Sequence, residues 1–155
     1  MFMGTHFDYR PFVRLGWVIL LIALSASATA AQSNLAGPNA RDWRAIRHTI
    51  ARQIDAFQRD DAKTAFSYAA PSVRRQFRTP HEFMSMVRTG YSAVYRPRAF
   101  RFLDPFTVSG HVIQALEVVT QDDTVITAYY VMERQSNGTW KIAACTLEAS
   151  AARSV

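Results

Sequence analysis

The chain has 155 residues, a formal net charge of +6, 49% hydrophobic residues and 19% charged residues. This length predicts a single domain, and this composition excludes a disordered chain. Arginine supplies most of the positive charge, because Lys63 and Lys141 are the only lysines. The arginines are spread along the chain without a dense run, which favours a scattered, solvated surface over a dedicated nucleic-acid or anionic-surface site.

The N-terminal segment has the pattern of a signal peptide. Two arginines precede an apolar run that begins at Leu15 and fades into small residues ending at Ala30. This pattern predicts a signal peptide over residues 1–30, cleaved after Ala30, and therefore a periplasmic or secreted protein. No cysteine directly follows the cleavage site, which argues against a lipoprotein anchor. The alternative is an uncleaved membrane anchor, but its strongly apolar part, residues 15–24, is short against the ~20 residues that a membrane span needs.

The predicted export affects which partners the protein can meet and how its single cysteine is interpreted. An exported protein rarely meets nucleic acid, so we expect no nucleic-acid partner. The basic charge is better matched to anionic ligands, to envelope polymers or to no partner at all. Cys145 is the only cysteine and cannot form a disulfide within the chain. We predict that it fills the core as a small apolar residue. A reactive thiol or an intermolecular bridge is the alternative.

One long amphipathic helix follows a short polar linker, residues 31–38. Asn39 stands at an N-cap position, and Asp42 stands where a capping box needs its second member. The helix is predicted to end near Gln58. Its large apolar residues recur at steps of 3, 4, 4 and 3, which is one helical face. They are Trp43, Ile46, Ile50, Ile54 and Phe57.

Smaller helices are predicted next. The acidic pair at residues 60–61 caps a second helix over residues 62–69, and residues 72–77 form a short helical turn. Thr79 and Pro80 then give a strong start signal for a third helix, which Gly90 stops. Its inward residues are Phe83, Met84 and Val87.

The apolar period then changes from 3.6 to 2, which predicts β-strands. Asn137-Gly138 is the dipeptide that a type I′ hairpin prefers. The apolar parity changes within the last strand, which predicts a bulge near residues 143–144. The strands are expected over residues 99–103, 111–120, 124–134 and 139–147.

Helices followed by an antiparallel meander indicate an α+β domain. We predict three N-terminal helices and then a curved four-stranded antiparallel sheet, within one domain over residues 39–148. Residues 149–155 are expected to form a flexible tail.

Three segments of the chain resemble a known family, namely IRHTIARQIDAFQRDDAKTAFSYAAPSVRRQF, FMSMVRTGYSAVYRPRAFRF and YYVMERQSNGTWKIAACTL. Over residues 43–147 the chain is similar to the bacterial domain-of-unknown-function family numbered 4864. That family resembles the nuclear transport factor 2-like, or cystatin-like, superfamily. The resemblance implies a cone-like α+β fold in which the long first helix packs into a bent sheet. It implies no catalytic residues, because the family has no established activity.

The segment of residues 91–98 is the first candidate site. Two tyrosines and two arginines fall close together, and arginine forks suit carboxylate or phosphate while tyrosines offer amphipathic contact area. This predicts a ligand-binding rim at Tyr91, Tyr95, Arg96 and Arg98. The alternative is that the tyrosines pack beneath the segment while the arginines cap carbonyls or pair with the acids at residues 60–61.

Polar residues on inward strand positions are the second candidate. Gln114 lies among apolar neighbours and is predicted to hydrogen-bond in a pocket, with Tyr129 or Tyr130 as its partner. Gln114 and Tyr130 are therefore included among the ligand-binding candidates. The alternative places Gln114 on the solvent face of a half-buried strand.

The sequence gives no catalytic constellation. His48, His81 and His111 are expected at the surface, and Asp55, beside Ile54 on the first helix, is a candidate to reach the interior. No spacing pairs a base with a substrate-binding group, and none matches a metal site. We therefore predict no catalytic residues, no metal and no cofactor.

These features predict a non-catalytic module that binds a small apolar or anionic ligand or interacts with a protein. One alternative is an acid–base enzyme of the isomerase, dehydratase or hydrolase type, acting on a small hydrophobic substrate. The other is a structural envelope protein that acts through dimerisation, so a homodimer is among the expected partners.

Overall fold

A computed structural model describes residues 37–149 of the chain. The predicted signal peptide (residues 1–30), the linker up to residue 36 and the tail from residue 150 onward lie outside the described residues. Within residues 37–149, no helix has the length and apolar character needed to cross a membrane.

The described residues form five helices and one five-stranded antiparallel sheet, so the predicted α+β class is confirmed. The predicted three helices and four strands are matched only in part. The short helical turn predicted at residues 72–77 is a helix at Pro71–Gln76, and one further helix and one further strand appear between the predicted elements. In chain order the elements are α1 (Ala40–Gln58), α2 (Ala62–Ser67), α3 (Pro71–Gln76), α4 (Pro80–Gly90), α5 (Ser92–Tyr95), β1 (Ala99–Phe102), β2 (Phe106–Val108), β3 (His111–Val119), β4 (Val125–Arg134) and β5 (Trp140–Ala149).

The start of α1 carries the predicted capping box. The Asn39 side chain accepts hydrogen bonds from the backbone N–H groups of Arg41 (2.8 Å) and Asp42 (3.0 Å), and the Asp42 carboxylate accepts from the Asn39 N–H (3.1 Å). The other Asp42 oxygen accepts from Trp140 Nε1 at 3.1 Å. These hydrogen bonds hold the pKa of Asp42 below its usual value. The cap therefore also joins the start of α1 to the start of β5.

The apolar stripe of α1 forms the centre of the main hydrophobic core. Ile46, Ile50 and Ile54 are fully or almost fully buried, while Trp43 is half-buried. They pack against one face of the sheet, where side chains alternate inward as the period of 2 requires. The inward residues of β3 and β4 in this cluster are Leu116, Val118, Ala128, Tyr130 and Met132.

A second cluster joins the end of α1 to α2 and α4. Phe57 lies 6.1 Å from Phe83 between ring centroids, and Phe66 lies 5.3 Å from Phe83. Helix α4 begins as predicted, because the Thr79 side chain accepts the Glu82 N–H at 3.1 Å. Its buried residues are the expected Phe83, Met84 and Val87.

The strands lie in the order β1-β3-β4-β5, and β2 pairs with the start of β3 beyond β1. Between β4 and β5 the register shifts by one residue, because Val131 pairs with Ala144 whereas Met132 pairs with Ile142. Ala143 is the extra residue, so the predicted bulge is confirmed. It lets Trp140 and Ile142 share the inward face with Cys145 and Leu147.

The turn between β4 and β5 differs from the prediction. The Gly138 N–H donates to Gln135 O at 2.9 Å, and the Gln135 N–H donates to Thr139 O at 2.8 Å. Gly138 has φ +81°, whereas Asn137 does not have a positive φ. A type I′ turn needs positive φ at both central residues, so this is instead a tight turn that closes with glycine in the left-handed region.

Candidate functional site

The segment of residues 91–98 contains a helix that the sequence did not predict. Tyr91 caps α4, donating its N–H to Val87 O at 2.9 Å, and the chain then turns through the four residues of α5. The Tyr91 side chain is half-buried against both hydrophobic clusters, and burial raises the pKa of its phenol. Part of the predicted rim is therefore packed into the core.

Asp60 is the centre of the polar contacts of this segment. It lies in the left-handed region, with φ +56°, directly after α1. One carboxylate oxygen accepts hydrogen bonds from Tyr95 Oη and from the Arg88 guanidinium (3.0 Å), and the other accepts from the Arg96 guanidinium at 2.6 Å. The hydrogen bonds from Tyr95 and Arg88 hold the pKa of Asp60 below its usual value. Asp60 is thus held in its ionised form by three hydrogen bonds.

The ring of Tyr95 connects this polar cluster to the core. The guanidinium carbons of Arg88 and Arg96 lie 5.5 Å and 5.3 Å from its centroid, within the range of a cation–π contact. Its centroid lies 6.4 Å from that of Phe57. The contacts of Tyr95 and Arg96 with Asp60, Arg88 and Phe57 therefore hold residues 91–98 against the ends of α1 and α4.

The end of the segment is fastened to the β3–β4 turn. Arg98 forms an ion pair with Asp123, and its backbone N–H donates to Val119 O at 2.8 Å. Gln121 Nε2 donates to Arg96 O at 3.1 Å. Arg96 and Arg98 each have a carboxylate partner within the chain, and an anionic ligand would have to compete with it.

The predicted acid pair at residues 60–61 is divided between two roles. Asp60 binds arginines, as the alternative for residues 91–98 anticipated. Asp61 instead caps α2 by accepting the Thr64 N–H at 3.0 Å, as the helix-start interpretation requires.

Gln114 is fully buried, so the alternative solvent-face position is wrong. Its Nε2 donates to Leu103 O (2.7 Å) and Ala115 O (2.9 Å), and its Oε1 accepts from Arg47 Nε at 3.3 Å. The predicted hydrogen bond to Tyr129 or Tyr130 is not formed. Gln114 has used its donors and its acceptor within the protein, so its evident role is to tie β3 to residue 103 and to α1.

Tyr130 lies next to Gln114 across the sheet and is also buried. Within residues 37–149 its hydroxyl has no properly oriented hydrogen-bond partner, although the Cys145 thiol lies beside it on the neighbouring strand. Burial raises the pKa of Tyr130 well above its usual value and raises the pKa of the Cys145 thiol to about 12. Cys145 packs on the main cluster as a neutral thiol, as predicted for a core residue.

The buried hydroxyl leads to a testable prediction. We expect Tyr130→Phe to leave the free energy of unfolding unchanged or to raise it by up to about 1 kcal/mol, because burying an unpaired hydroxyl is costly. Urea unfolding measures this, with Tyr129→Phe, on the other face of β4, as the matched control. A loss of more than about 1 kcal/mol, specific to Tyr130→Phe, would show that the hydroxyl has a stabilising partner.

The remaining titratable residues do not assemble into a site. His48, His81 and His111 are exposed, as predicted. Asp55 does not reach the interior, because it pairs on the helix surface with Arg52 (3.5 Å) and Arg59. Within residues 37–149, no three His, Cys, Asp or Glu side chains converge as metal ligands.

The other face of the sheet, here called the outer face, points away from the core cluster that packs on α1. It carries the odd-numbered residues of β1, β3 and β4, together with Phe106 and Val108 of β2 and the even-numbered residues of β5 from Ala144 onward. Phe106 is 41% exposed and packs edge-on against Tyr129, with ring centroids 6.3 Å apart. Val108 and Val125 are 50% and 39% exposed.

The register arranges the outer face in rows that cross the strands. One row is apolar and contains Phe106, Ile113, Val131 and Ala144. Another is polar and contains Arg101, Glu117, Thr127 and Glu148. In the polar row the Arg101 guanidinium donates two hydrogen bonds of 2.7 Å to the Glu117 carboxylate.

Comparison with known families decides the membership of the chain. The family described as "Domain of unknown function (DUF4864)" matches residues 39–155, which include nearly all of the described domain. The chain belongs to the DUF4864 family. A search of curated proteins finds no match.

For this DUF4864 protein, the sequence identified the polar segment of residues 91–98 and, as one alternative, its pairing with Asp60, but not the contacts with Arg88 and Asp123. Asp60 was interpreted as part of a helix start, although its position after the end of α1 also permits a left-handed residue. Arg88 looked like an ordinary residue of the last turn of α4. Phe106 and Val108 were missed because Pro105 precedes a strand of only three residues. The alternation of Phe106 and Val108 around a polar residue was the sequence feature that could have predicted this strand.

Proposed function

We propose that this DUF4864 protein is a non-catalytic interaction module that forms a homodimer through the outer face of its sheet. One observation carries the proposal: two rows of the outer face, one apolar and one polar, are complementary to themselves. A two-fold axis parallel to the strands, between β3 and β4, places β3 of one protomer over β4 of the other and β1 and β2 over β5.

In this arrangement the apolar residues of the apolar row face apolar residues of the second copy. In the polar row, an arginine faces a glutamate of the second copy. Phe106 faces Ala144 of the second copy, and Ile113 faces its Val131, because these residues share one row. In the polar row Arg101, which also binds Glu117 of its own chain, lies over Glu148 of the second copy, at opposite edges of the two sheets. Each contact occurs twice in the dimer, as two-fold symmetry requires.

The size of the outer face also fits a second copy. Strands of nine or ten residues extend about 30 Å, and four strands at about 4.8 Å spacing extend about 19 Å across the sheet. The projected area is roughly 600 Å². The accessible area is larger, because side chains protrude from this plane. A standard stable interface uses about 800 Å² from each partner.

The contacts of the interior support interaction over catalysis. Helix α1 fills the inward face of the sheet with isoleucines, and Gln114 is committed to backbone carbonyls and to Arg47. The arginines of residues 91–98 are committed to carboxylates of the same chain. No specific observation favours the alternative of an acid–base enzyme or of an anion-binding rim, so neither is proposed.

We also infer that the domain belongs to the nuclear transport factor 2-like superfamily. The order of helices before an antiparallel sheet, with the long α1 packed against one face, supports this inference. An experimental structure in which the sheet bends around α1 into a cone would support it further. A flat sheet, with α1 packed at one edge only, would contradict it.

The proposed dimer is tested by Phe106→Glu. We expect the wild type to sediment as a dimer and the variant to self-associate at least 100-fold more weakly, because a carboxylate replaces an aromatic contact that occurs twice in the interface (roughly 3 kcal/mol in total). Sedimentation equilibrium over a concentration series measures the dissociation constant.

The matched control for this test is Ser85→Glu, which adds the same charge at an exposed position of α4. It is expected to stay dimeric. The proposal is wrong if the wild type is monomeric at ~100 μM, a concentration at which a specific dimer of this size forms. It is equally wrong if Phe106→Glu and Ser85→Glu associate alike.

A further inference from the structure

The outward side of α1, opposite the isoleucine stripe, is a line of positive charge. Residues 41, 44, 48, 52, 55 and 59 recur at steps of 3 or 4, which places them on one helical stripe. Four of them are arginines, one is His48, and Asp55 is the only acid. All but Asp55 are exposed. We call these six residues the cationic stripe.

The charge of the cationic stripe is not neutralised by its surroundings. Arg52 and Arg59 share Asp55, whereas Arg41 and Arg44 form no direct ion pair within residues 37–149. The stripe therefore has a net charge of about +3 with His48 neutral. Residues 37–98, which contain the five helices described above, hold twelve Lys and Arg against five Asp and Glu, whereas residues 99–149 hold three against six.

Helix stability does not explain these cations. Positive side chains near a helix N-terminus oppose the helix dipole, and Arg41 stands in the first turn of α1 while Arg44 stands in the second. The favourable end for cations is the C-terminus, where Arg59 stands as the C-cap and pairs with Asp55. Arg41 alone thus has an unfavourable interaction with the dipole, which an anionic partner would offset.

The density of charge indicates the kind of partner. The stripe is about 27 Å long, with neighbouring members about 4.5–6 Å apart, and carries about one net charge per 9 Å. Duplex DNA carries one charge per ~1.7 Å, which is far denser. A membrane-surface helix needs an exposed apolar face, and the apolar face of α1 is buried in the core. Arginine forks bind carboxylates with two parallel hydrogen bonds.

We propose that the cationic stripe of α1 docks a linear acidic polysaccharide with one carboxylate per sugar unit. The polymer runs along α1, and carboxylates spaced along it, not all of them successive, meet the guanidinium groups of Arg41, Arg44 and Arg52. This surface lies on the opposite side of α1 from the sheet, so polymer binding and the dimer proposed above are independent of each other.

The test uses a fluorescently labelled polygalacturonate chain and the purified protein, with anisotropy as the readout. We expect Arg41→Gln/Arg44→Gln to weaken binding roughly tenfold or more, and a rise from 50 to 200 mM salt to weaken wild-type binding by a similar factor. The control is Arg75→Gln/Arg78→Gln, which removes the same charge from exposed positions at and after α3. It is expected to bind as the wild type does.

Three outcomes would overturn the proposal. The first is equal weakening in the stripe variant and the control variant, which would indicate dependence on net charge alone. The second is no measurable binding to polygalacturonate at 50 mM salt. The third is tighter binding to single-stranded DNA or to vesicles containing anionic phospholipid, which would assign the stripe to another class of partner. Because Arg41 and Arg44 are exposed, the thermal midpoint of the stripe variant is expected not to fall.

Discussion

Ile50→Asp is expected to prevent folding. Ile50 is 0% exposed at the middle of the apolar stripe of α1, with Ile46 and Ile54 one turn away on each side. Removing a buried isoleucine costs about 2–5 kcal/mol, and a buried carboxylate without a partner costs several more. The total is comparable with the ~5–15 kcal/mol that stabilises a typical domain. Near-ultraviolet circular dichroism should show no fixed aromatic environment in the variant.

Ala45→Asp is the control for this experiment, because Ala45 is exposed on the same helix. It should cost no more than about 0.7 kcal/mol, which is the loss of helix propensity. A cooperative thermal transition of Ile50→Asp near the wild-type temperature would contradict the assignment of α1 as the centre of the core.

Phe57→Ala should produce the second largest loss of stability. Phe57 is 2% exposed and touches the rings of both Phe83 and Tyr95, so it joins the second cluster to the polar contacts around Asp60. Truncation of a buried phenylalanine costs about 3–5 kcal/mol. For a domain of this size the thermal midpoint should fall by roughly 10–20 °C.

The same variant should loosen the segment of residues 91–98 more than the sheet. Amide exchange at Tyr95 and Arg96 should accelerate more than at Leu116, because Tyr95 loses the ring on which it packs. Phe77→Ala is the control, since Phe77 is only half-buried on Phe83. A midpoint within a few degrees of the wild type would show that Phe57 does not join the two regions.

The elements whose residues follow one period over a long stretch could be predicted from the sequence. The stripe and capping box of α1 depend on neighbours three or four residues apart, and the structure confirms both. The alternation in β3 and β4 and the parity change in β5 predicted the inward residues and the bulge, because side-chain direction in a strand depends on position alone.

The elements held by distant contacts could not be predicted. Helix α5 has four residues and no side-chain cap, so nothing local marks it. It is held by Tyr95, whose partners Asp60 and Phe57 lie 35 and 38 positions earlier. Strand β2 has three residues and exists by pairing with β3. The type I′ prediction failed because Asn137-Gly138 sits one position later in its turn than a two-residue loop requires.

The candidate site was predictable in its composition and only partly in its contacts. Arginines and tyrosines at residues 91–98 indicated a polar surface, and pairing with the acids at residues 60–61 was one of two alternatives, but the sequence neither decided between them nor indicated Asp123. The structure pairs Arg96 with Asp60 and Arg98 with Asp123, 36 and 25 positions away. The complementarity of the outer face to a second copy likewise depends on which residues of neighbouring strands lie opposite each other. The sequence does not give this register, and the paired strands of the structure do.

The central claim, a dimer through the outer face, is tested most directly by exchanging the charges at its two edges. Arg101→Glu places two glutamates over each other twice per dimer, and Glu148→Arg does the same with two arginines. Each variant alone should self-associate roughly 10- to 100-fold more weakly than the wild type.

An equimolar mixture of the two variants should restore association. The glutamate introduced in one variant then meets the arginine introduced in the other, while the native Arg101 and the native Glu148 also meet. Sedimentation velocity of the mixture and of each variant alone measures this. The account predicts a dimer in the mixture; sedimentation as no more than the two separate monomers, when the wild type is dimeric, would contradict it.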